Sequence, residues 1–272
     1  MKKIATINDL SGIGRCSLTV ALPILSALKV QCCPFPTAIL SSQTDYPEYT
    51  FLDFTNYMEG YSNVWKNLNV DFDCIYSGFL GSKHQVDIVS NFISTNRSAL
   101  VVIDPVMGDN GKLYPVFDKD MCNKIKNLVE LADLTTPNLT EACFLTDKDY
   151  KINGFSEDEL FGMAKEICDL GPSKVVITGI ISNDKILNLG YDKNSNNYFT
   201  TSVKYNNCSY SGTGDIFTSI VCGLLNKDYS LNSSVEIATQ FIHETIEYTS
   251  KFNTNRNDGV MFEYFLHNLT NL

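Results

Sequence analysis

Leu100-Val-Val-Ile-Asp-Pro-Val-Met-Gly-Asp109 is the stretch whose reading decides the fold. Leu100 to Ile103 is a continuous apolar run, as expected of a strand buried on both faces of a parallel sheet. Asp104-Pro105 stops it and, with Asp109, sets two carboxylates at the strand's C-terminal end, where open α/β sheets collect ligands. The pattern recurs downstream. Leu134-Thr-Thr136 runs into Pro137-Asn138-Leu-Thr-Glu141, and Val175-Val-Ile177 ends in Thr178-Gly179, with helix-like stretches between. Three such units predict one doubly wound α/β sheet with its ligand groups on a single edge.

Working towards the N-terminus, Cys74-Ile-Tyr76 reads as a strand, Ser77-Gly-Phe-Leu-Gly-Ser82 as a glycine-bracketed loop, and Val86, Val89 and Phe92 as a helical face. Phe54, Met58, Tyr61, Trp65 and Leu68 fall three or four apart and predict a second helix, with this face in the core. Val30 to Pro34 and Thr37 to Leu40 read as two strands, followed by a polar exit, Ser41-Ser-Gln-Thr-Asp45. Ile4 to Ile7 is a short strand, and Asn8-Asp-Leu-Ser-Gly-Ile-Gly14 the loop leaving it. A helix follows from Arg15 to Leu28, which Pro23 is expected to bend or interrupt. Gly12-x-Gly14 lacks the third glycine of a dinucleotide fingerprint, so the loop either presents Asn8, Asp9 and Ser11 to a small ligand or caps that helix.

Towards the C-terminus, Ser156-x-x-Glu159 is a capping box, and the polar turn Asp192 to Asn197 joins two strands into an edge hairpin. Cys208-Ser-Tyr-Ser-Gly-Thr-Gly-Asp215 then runs into an apolar segment with helical spacing, as do Val235, Ala238, Ile242 and Ile246 further on. Gly212 and Gly214 permit a tight turn whose unpaired amides, at the positive end of a helix, suit a phosphate. Asp215 would repel that phosphate unless it has another task, such as accepting a hydroxyl proton; a plain helix cap is the alternative. No internal repeat or long linker divides the chain, so residues 1–272 are read as a single domain.

Composition narrows the function classes. Of the 272 residues 44% are apolar and 19% charged, and no apolar run is long enough to span a bilayer, so a soluble protein is expected. The N-terminus does not read as a signal peptide. Nine scattered cysteines make a poor disulfide framework and suggest reduced thiols in the cytoplasm; with three histidines, they offer no zinc-ligand spacing. A net charge of −10 argues against nucleic acid and anionic membranes as partners.

Gly212-Thr-Gly-Asp215, Asp104-Pro-Val-Met-Gly-Asp109 and Thr136-Pro-Asn138-Leu-Thr-Glu141 together resemble the ribokinase superfamily. Ser77-Gly-Phe-Leu-Gly-Ser82 and the Asn8 to Gly14 loop narrow the resemblance to the vitamin B6 kinases, the pyridoxal/pyridoxamine kinase family, over essentially the whole chain. The resemblance implies a three-layer α/β/α fold with a mostly parallel sheet, ATP with Mg²⁺, an activating K⁺ or Na⁺, and a homodimer. It makes Asp215 the base for the 5′-hydroxymethyl group of the vitamer, and Gly212, Thr213 and Gly214 the amides that hold the transferred phosphoryl. Asn138 and Glu141 would serve Mg²⁺, Asp104 and Thr136 a monovalent cation, Asp109 the phosphates and Thr178 the nucleotide. Asp9, Ser11, Thr44, Phe79 and Tyr114 would line the substrate pocket, Asp9 and Phe79 standing where relatives carry serine and tyrosine. Hydroxymethylpyrimidine kinase shares this fold and base, and a non-catalytic nucleotide- or vitamin-binding module is the alternative from another class.

Overall fold

The computed structural model describes residues 1–115, 117–151 and 154–272. In chain order its elements begin with β1 (Lys3–Ser11), α1 (Ser17–Ala27), β2 (Gln31–Leu40), β3 (Phe51–Asp53), α2 (Thr55–Asn67), β4 (Cys74–Ser77) and α3 (Lys83–Thr95). The middle of the chain forms β5 (Leu100–Ile103), a small hairpin of β6 (Gly108–Asp109) and β7 (Lys112–Leu113), α4 (Lys119–Val129), β8 (Leu134–Thr135), α5 (Leu139–Leu145) and α6 (Glu157–Leu170). The last third holds β9 (Lys174–Ser182), β10 (Lys185–Asp192), β11 (Asn197–Lys204), α7 (Thr213–Leu225), α8 (Leu231–Thr249) and α9 (Leu266–Leu269).

Nine strands form one sheet in the order β11-β10-β9-β8-β5-β4-β1-β2-β3. The six from β9 to β2 run parallel, and β3, β10 and β11 are antiparallel additions at the two edges. Alternate side chains of the central strands feed two cores. Ile75, Val101, Ile103, Val175 and Ile177 pack under α2 to α6, while Cys74, Tyr76, Val102 and Val176 pack under α1, α7 and α8. Burial on both faces is why these strands read as unbroken apolar runs. The chain moves from β2 across β1 to β4, so α1 and α3 cover opposite faces. The C-terminal ends of β1 and β4 thus diverge into a crevice, the topological switch point where ligands of such sheets bind.

Several expected boundaries shift. β1 continues through the anticipated loop to Ser11, with a register irregularity between Asn8 and Leu10, because β2 pairs with it along that length. The two expected strands at 30–40 are one strand. Its prolines, Pro34 and Pro36, lie where β3 has not yet joined the sheet, an edge on which a missing N–H is tolerated. β9 likewise runs past Thr178-Gly179 to Ser182, carried by the antiparallel ladder with β10. Pro23 sits inside α1 without ending it; Val20, Ala21, Ile24 and Leu25 around it are buried, and that packing outweighs the lost helix bond. Leu68, expected in the core, is 67% exposed just beyond α2. The capping box at Ser156 and Glu159 forms as read, and β10 and β11 make the edge hairpin.

Met58 and the aromatic group of Phe35, Tyr61, Trp65, Phe72 and Phe92 fix α2 and α3 on the sheet, with Phe35 fully buried and its ring stacked on Tyr61 at 5.4 Å. Truncating Phe35 removes contacts to three rings at once. Phe35→Ala is therefore expected to cost roughly 3–5 kcal/mol in urea unfolding and to shift the emission of Trp65, the sole tryptophan. An unchanged midpoint and spectrum would mean that the cluster is not a packing unit.

Candidate active site

The glycine turn closes over the crevice between β1 and β4. Gly212 is the N-cap of α7 in the left-handed conformation, with φ 78°, and no side chain caps this helix end. A Cβ on Gly212 would lie 1.9 Å from the carbonyl oxygen of Arg15, so only glycine lets the turn pass this close to the start of α1. The first-turn amides of a 13-residue helix are thus left for an anion, and the plain-cap reading of Asp215 finds no support. The helix positions Asp215 in its first turn, where the Asn8 side-chain amide donates to its Oδ1 at 3.1 Å.

Burial pushes the Asp215 carboxyl up to about 6. The negative charge of Asp9 adds to the rise, while the Ser17 amide and the Asn8 side chain oppose it. Asp104 lies across from it, with one carboxylate oxygen 3.9 Å from where a Cβ on Gly214 would sit. Asp104 is also buried. Desolvation, with Glu141 and Asp215 nearby, holds its carboxyl well above the usual carboxylate range. Thr218, one turn along α7 from Asp215, donates to Asp104 at 3.5 Å and pairs with Thr136 Oγ1 at 3.0 Å. The expected cation residues, Asp104 and Thr136, are therefore brought together by a hydroxyl that the sequence reading did not include.

Asn138 and Glu141 form a second capping box, at the start of α5. Glu141 Oε2 accepts from the Asn138 amide at 2.8 Å and Oε1 from the Met107 amide at 3.1 Å, while Asn138 Nδ2 donates to Gly108 O at 2.9 Å. Burial pushes the Glu141 carboxyl up to about 8, against the pull of those amides. Thr178 bridges to Asn138 at the neighbouring strand end, its amide donating to Pro137 O at 2.9 Å. Asp109 is exposed in the β6–β7 hairpin and accepts from the Asn110 amide.

On the substrate side, Asp9 is 7% exposed and both of its oxygens are engaged: Ser11 Oγ donates to Oδ2 at 2.8 Å and Ser17 Oγ to Oδ1 at 2.6 Å. The expected ligand groups Asp9 and Ser11 are thus paired with each other rather than presented free. Ser17 is held with φ 51°, a strained geometry for a residue with a side chain. Phe79 and Tyr114 flank Phe117, with ring centroids 6.1 and 6.5 Å from it, and make an aromatic wall. Thr44 is exposed at the rim, in a loop tied to the glycine turn by Ser211 Oγ donating to Asp45 Oδ2 at 3.1 Å. Sequence reasoning missed Ser17, Phe117 and Thr218. Of these, only Thr218 left a signal, its i+3 spacing from Asp215.

Hard oxygen donors fit Mg²⁺ and an alkali cation. Among the described residues no cluster of three or more His, Cys, Asp or Glu side chains is arranged to hold a metal. A divalent ion here would draw most of its ligands from phosphate and water.

The profile of the family described as phosphomethylpyrimidine kinase matches residues 24–261. The chain is 28% identical to a pyridoxal kinase of Arabidopsis thaliana over 231 residues, covering 79% of this chain and 72% of that protein. It is also 28% identical to a hydroxymethylpyrimidine/phosphomethylpyrimidine kinase of Staphylococcus aureus over 203 residues, covering 70% of this chain and 68% of that protein. A Bacteroides thetaiotaomicron structure described as a phosphomethylpyrimidine kinase, crystallised with pyridoxal, superposes with TM-score 0.95 at 43% identity, over 98% of this chain and 95% of that one. Pyridoxal kinase from Lactobacillus plantarum superposes with TM-score 0.91 at 26% identity, over 99% and 96%.

The burial of Asp215 has a consequence for stability. The folded protein keeps its proton up to about pH 6, whereas an unfolded aspartate loses it near 3.8. Stability therefore falls as pH rises through that window, and the full cost is present above it. Asp215→Asn is expected to melt roughly 2–4 °C higher than wild type in mildly alkaline buffer and to lose that advantage in acid. Equal melting temperatures in alkali would mean that the carboxylate is not desolvated.

Proposed function

Because the chain belongs to the phosphomethylpyrimidine kinase family, we propose that it transfers the γ-phosphoryl group of ATP to the 5′-hydroxymethyl group of a B6 vitamer, with Asp215 as general base. The observation that carries this reading is the placement of Asp215. Its half-buried carboxyl stands in the mouth of an uncapped helix N-terminus, at the switch point of the sheet, with no cation paired to it among the described residues. A module that only binds phosphate gains nothing from a negative charge there. A carboxyl raised to about 6 remains ionised at neutral pH yet is more basic than an ordinary aspartate, which suits it to take a proton from an alcohol.

In this mechanism Asp215 accepts the hydroxyl proton as the oxygen attacks the γ-phosphorus and the bond from that phosphorus to the β-phosphate oxygen breaks, leaving ADP. The amides of Gly212, Thr213 and Gly214, at the positive end of α7, stabilise the charge growing on the transferred group. Mg²⁺ bound with ATP would neutralise phosphate charge. Glu141 and Asn138 would hold it through water, since the Glu141 oxygens already accept from two amides. Asp104 and Thr136, joined through Thr218, would hold K⁺ or Na⁺. Asp109 and Thr178 would lie along the nucleotide, and Phe79 and Tyr114 with Phe117 would cover the pyridine ring. Thr44 would close the rim, and Asp9 and Ser11 would shape the pocket floor. The exposed apolar side chains Phe51 and Leu52 on the β3 edge favour association as a homodimer.

The pyridoxal bound by the B. thetaiotaomicron protein favours a B6 vitamer as substrate. The S. aureus relative favours hydroxymethylpyrimidine, also a heteroaromatic ring bearing a hydroxymethyl group, and the family description names its phosphorylated form. ATP consumption measured with pyridoxal, pyridoxamine, pyridoxine and hydroxymethylpyrimidine in turn is expected to be fastest with a B6 vitamer. Preference for hydroxymethylpyrimidine would move the assignment to thiamin synthesis, and no turnover with any would leave a binding module. Asp215→Asn is expected to lower kcat on the best substrate by roughly 10²–10⁴-fold, with ATP affinity retained; wild-type turnover would remove Asp215 as base.

A further inference from the structure

The crevice at the switch point contains a polar side chain that is fully buried yet touches the proposed base. Asn8, near the end of β1, is 0% exposed and uses both ends of its amide. Nδ2 donates to Asp215 Oδ1 at 3.1 Å, and Oδ1 accepts from the Phe79 amide at 3.0 Å and from the Asp9 amide at 3.0 Å. One planar group thereby joins α7, the loop after β4 and its own strand, bridging the ends of the two strands that diverge to form the site. Gly78 supplies the room: a Cβ there would lie 2.4 Å from Asn8 Nδ2 and 2.8 Å from its Cγ. We infer that Asn8 is a positioning residue, one that aims the Asp215 carboxylate at the substrate hydroxyl and ties that aim to the Phe79 loop; the inference rests on Asp215 being the base.

The geometry separates the two tasks of the amide. Free to rotate about its own side-chain bonds, a first-turn aspartate would sample several orientations. A donor fixed on Oδ1 narrows those orientations and leaves Oδ2 out of this contact, and the donor is itself fixed by two backbone amides on its other atom. Water cannot substitute for it, because Asn8 is sealed from solvent. The acceptor end shapes the substrate loop and the donor end sets the base, so a change confined to the donor end alters chemistry more than binding.

Asn8→Asp comes nearest to that change: it keeps an oxygen for the Phe79 and Asp9 amides and sets a second carboxyl oxygen, a donor only while the pair shares a proton, where Nδ2 met Asp215. Steady-state kinetics with ATP, Mg²⁺ and whichever of pyridoxal or hydroxymethylpyrimidine turns over are expected to show kcat reduced on the order of 10²-fold, with KM for the alcohol within about twofold of wild type. Gly78→Ala, which forces the whole Asn8 amide aside without changing its charge, is expected to lower kcat as well and to raise KM, because the acceptor end moves with the donor; its kcat decides the matter if Asn8→Asp fails to fold. Wild-type kcat in the folded variants, or a loss confined to KM, overturns the inference. Asp215→Asn, assayed alongside, separates the two levels. If it is inactive while both positioning variants turn over normally, only the role of Asn8 falls; if it turns over like wild type, the base assignment falls and the inference with it.

Discussion

Acidic side chains gathered where, among the described residues, no positive side chain pairs with them are the constraint that shapes the sheet edge of this protein. Asp9, Asp104, Glu141 and Asp215 are all drawn into the ends of the central strands, and none of them takes part in an ion pair among the described residues. The ion pairs that do form join other residues, at the surface, where they contribute little. Burial raises the carboxyls of all four acids, and each is held instead by neutral donors: serine hydroxyls for Asp9, a threonine for Asp104, backbone amides for Glu141, and an asparagine for Asp215.

Such an edge costs stability, and the rest of the fold offsets the cost. A sheet buried on both faces, with an aromatic cluster under α2 and α3 in one core and a second core under α1 and α7, supplies a close-packed frame for the acids. The uncapped end of α7 is a second local deficit. Under the proposed function both deficits would have the same remedy, a ligand that brings phosphate to the amides and cations to the carboxylates. A protein built to phosphorylate an alcohol with ATP and a divalent ion is expected to be strained in this way before its ligands arrive.

The loops above the edge are held together by contacts that span the chain. Gln43 donates to the Asn257 carbonyl, Asn257 to the Asp45 carbonyl, and Ser211 to the Asp45 carboxylate, so the rim beside Thr44, the segment after α8 and the glycine turn form one lattice. Arg15, whose carbonyl presses on Gly212, donates in turn to the Asp258 carbonyl and to Glu263. The start of α7 is therefore fixed from both sides, which sets where the backbone of Asp215 lies.

Much of this was legible in the sequence. Apolar runs ending in polar residues marked β5, β8 and β9, helical spacing marked α2, α3, α7 and α8, and the sterics of glycine marked the turn at Gly212, because each is a property of a few adjacent residues. The continuous β1 and β2, the intact α1 and the exposed Leu68 were not legible, since partner strands and packing decided them against local preference. The site divides in the same way. Asp215, Asp104 and Glu141 announced themselves by their motifs, and Asn138 came with Glu141, but the pairings of Asp215 and Asp104 did not. Asn8 meets Asp215 across 207 residues of chain, and Thr136 meets Thr218 across 82. Chemistry type and local shape are carried by neighbours in sequence; which amide holds which carboxylate depends on strand order and register, and these exist only once the sheet has formed.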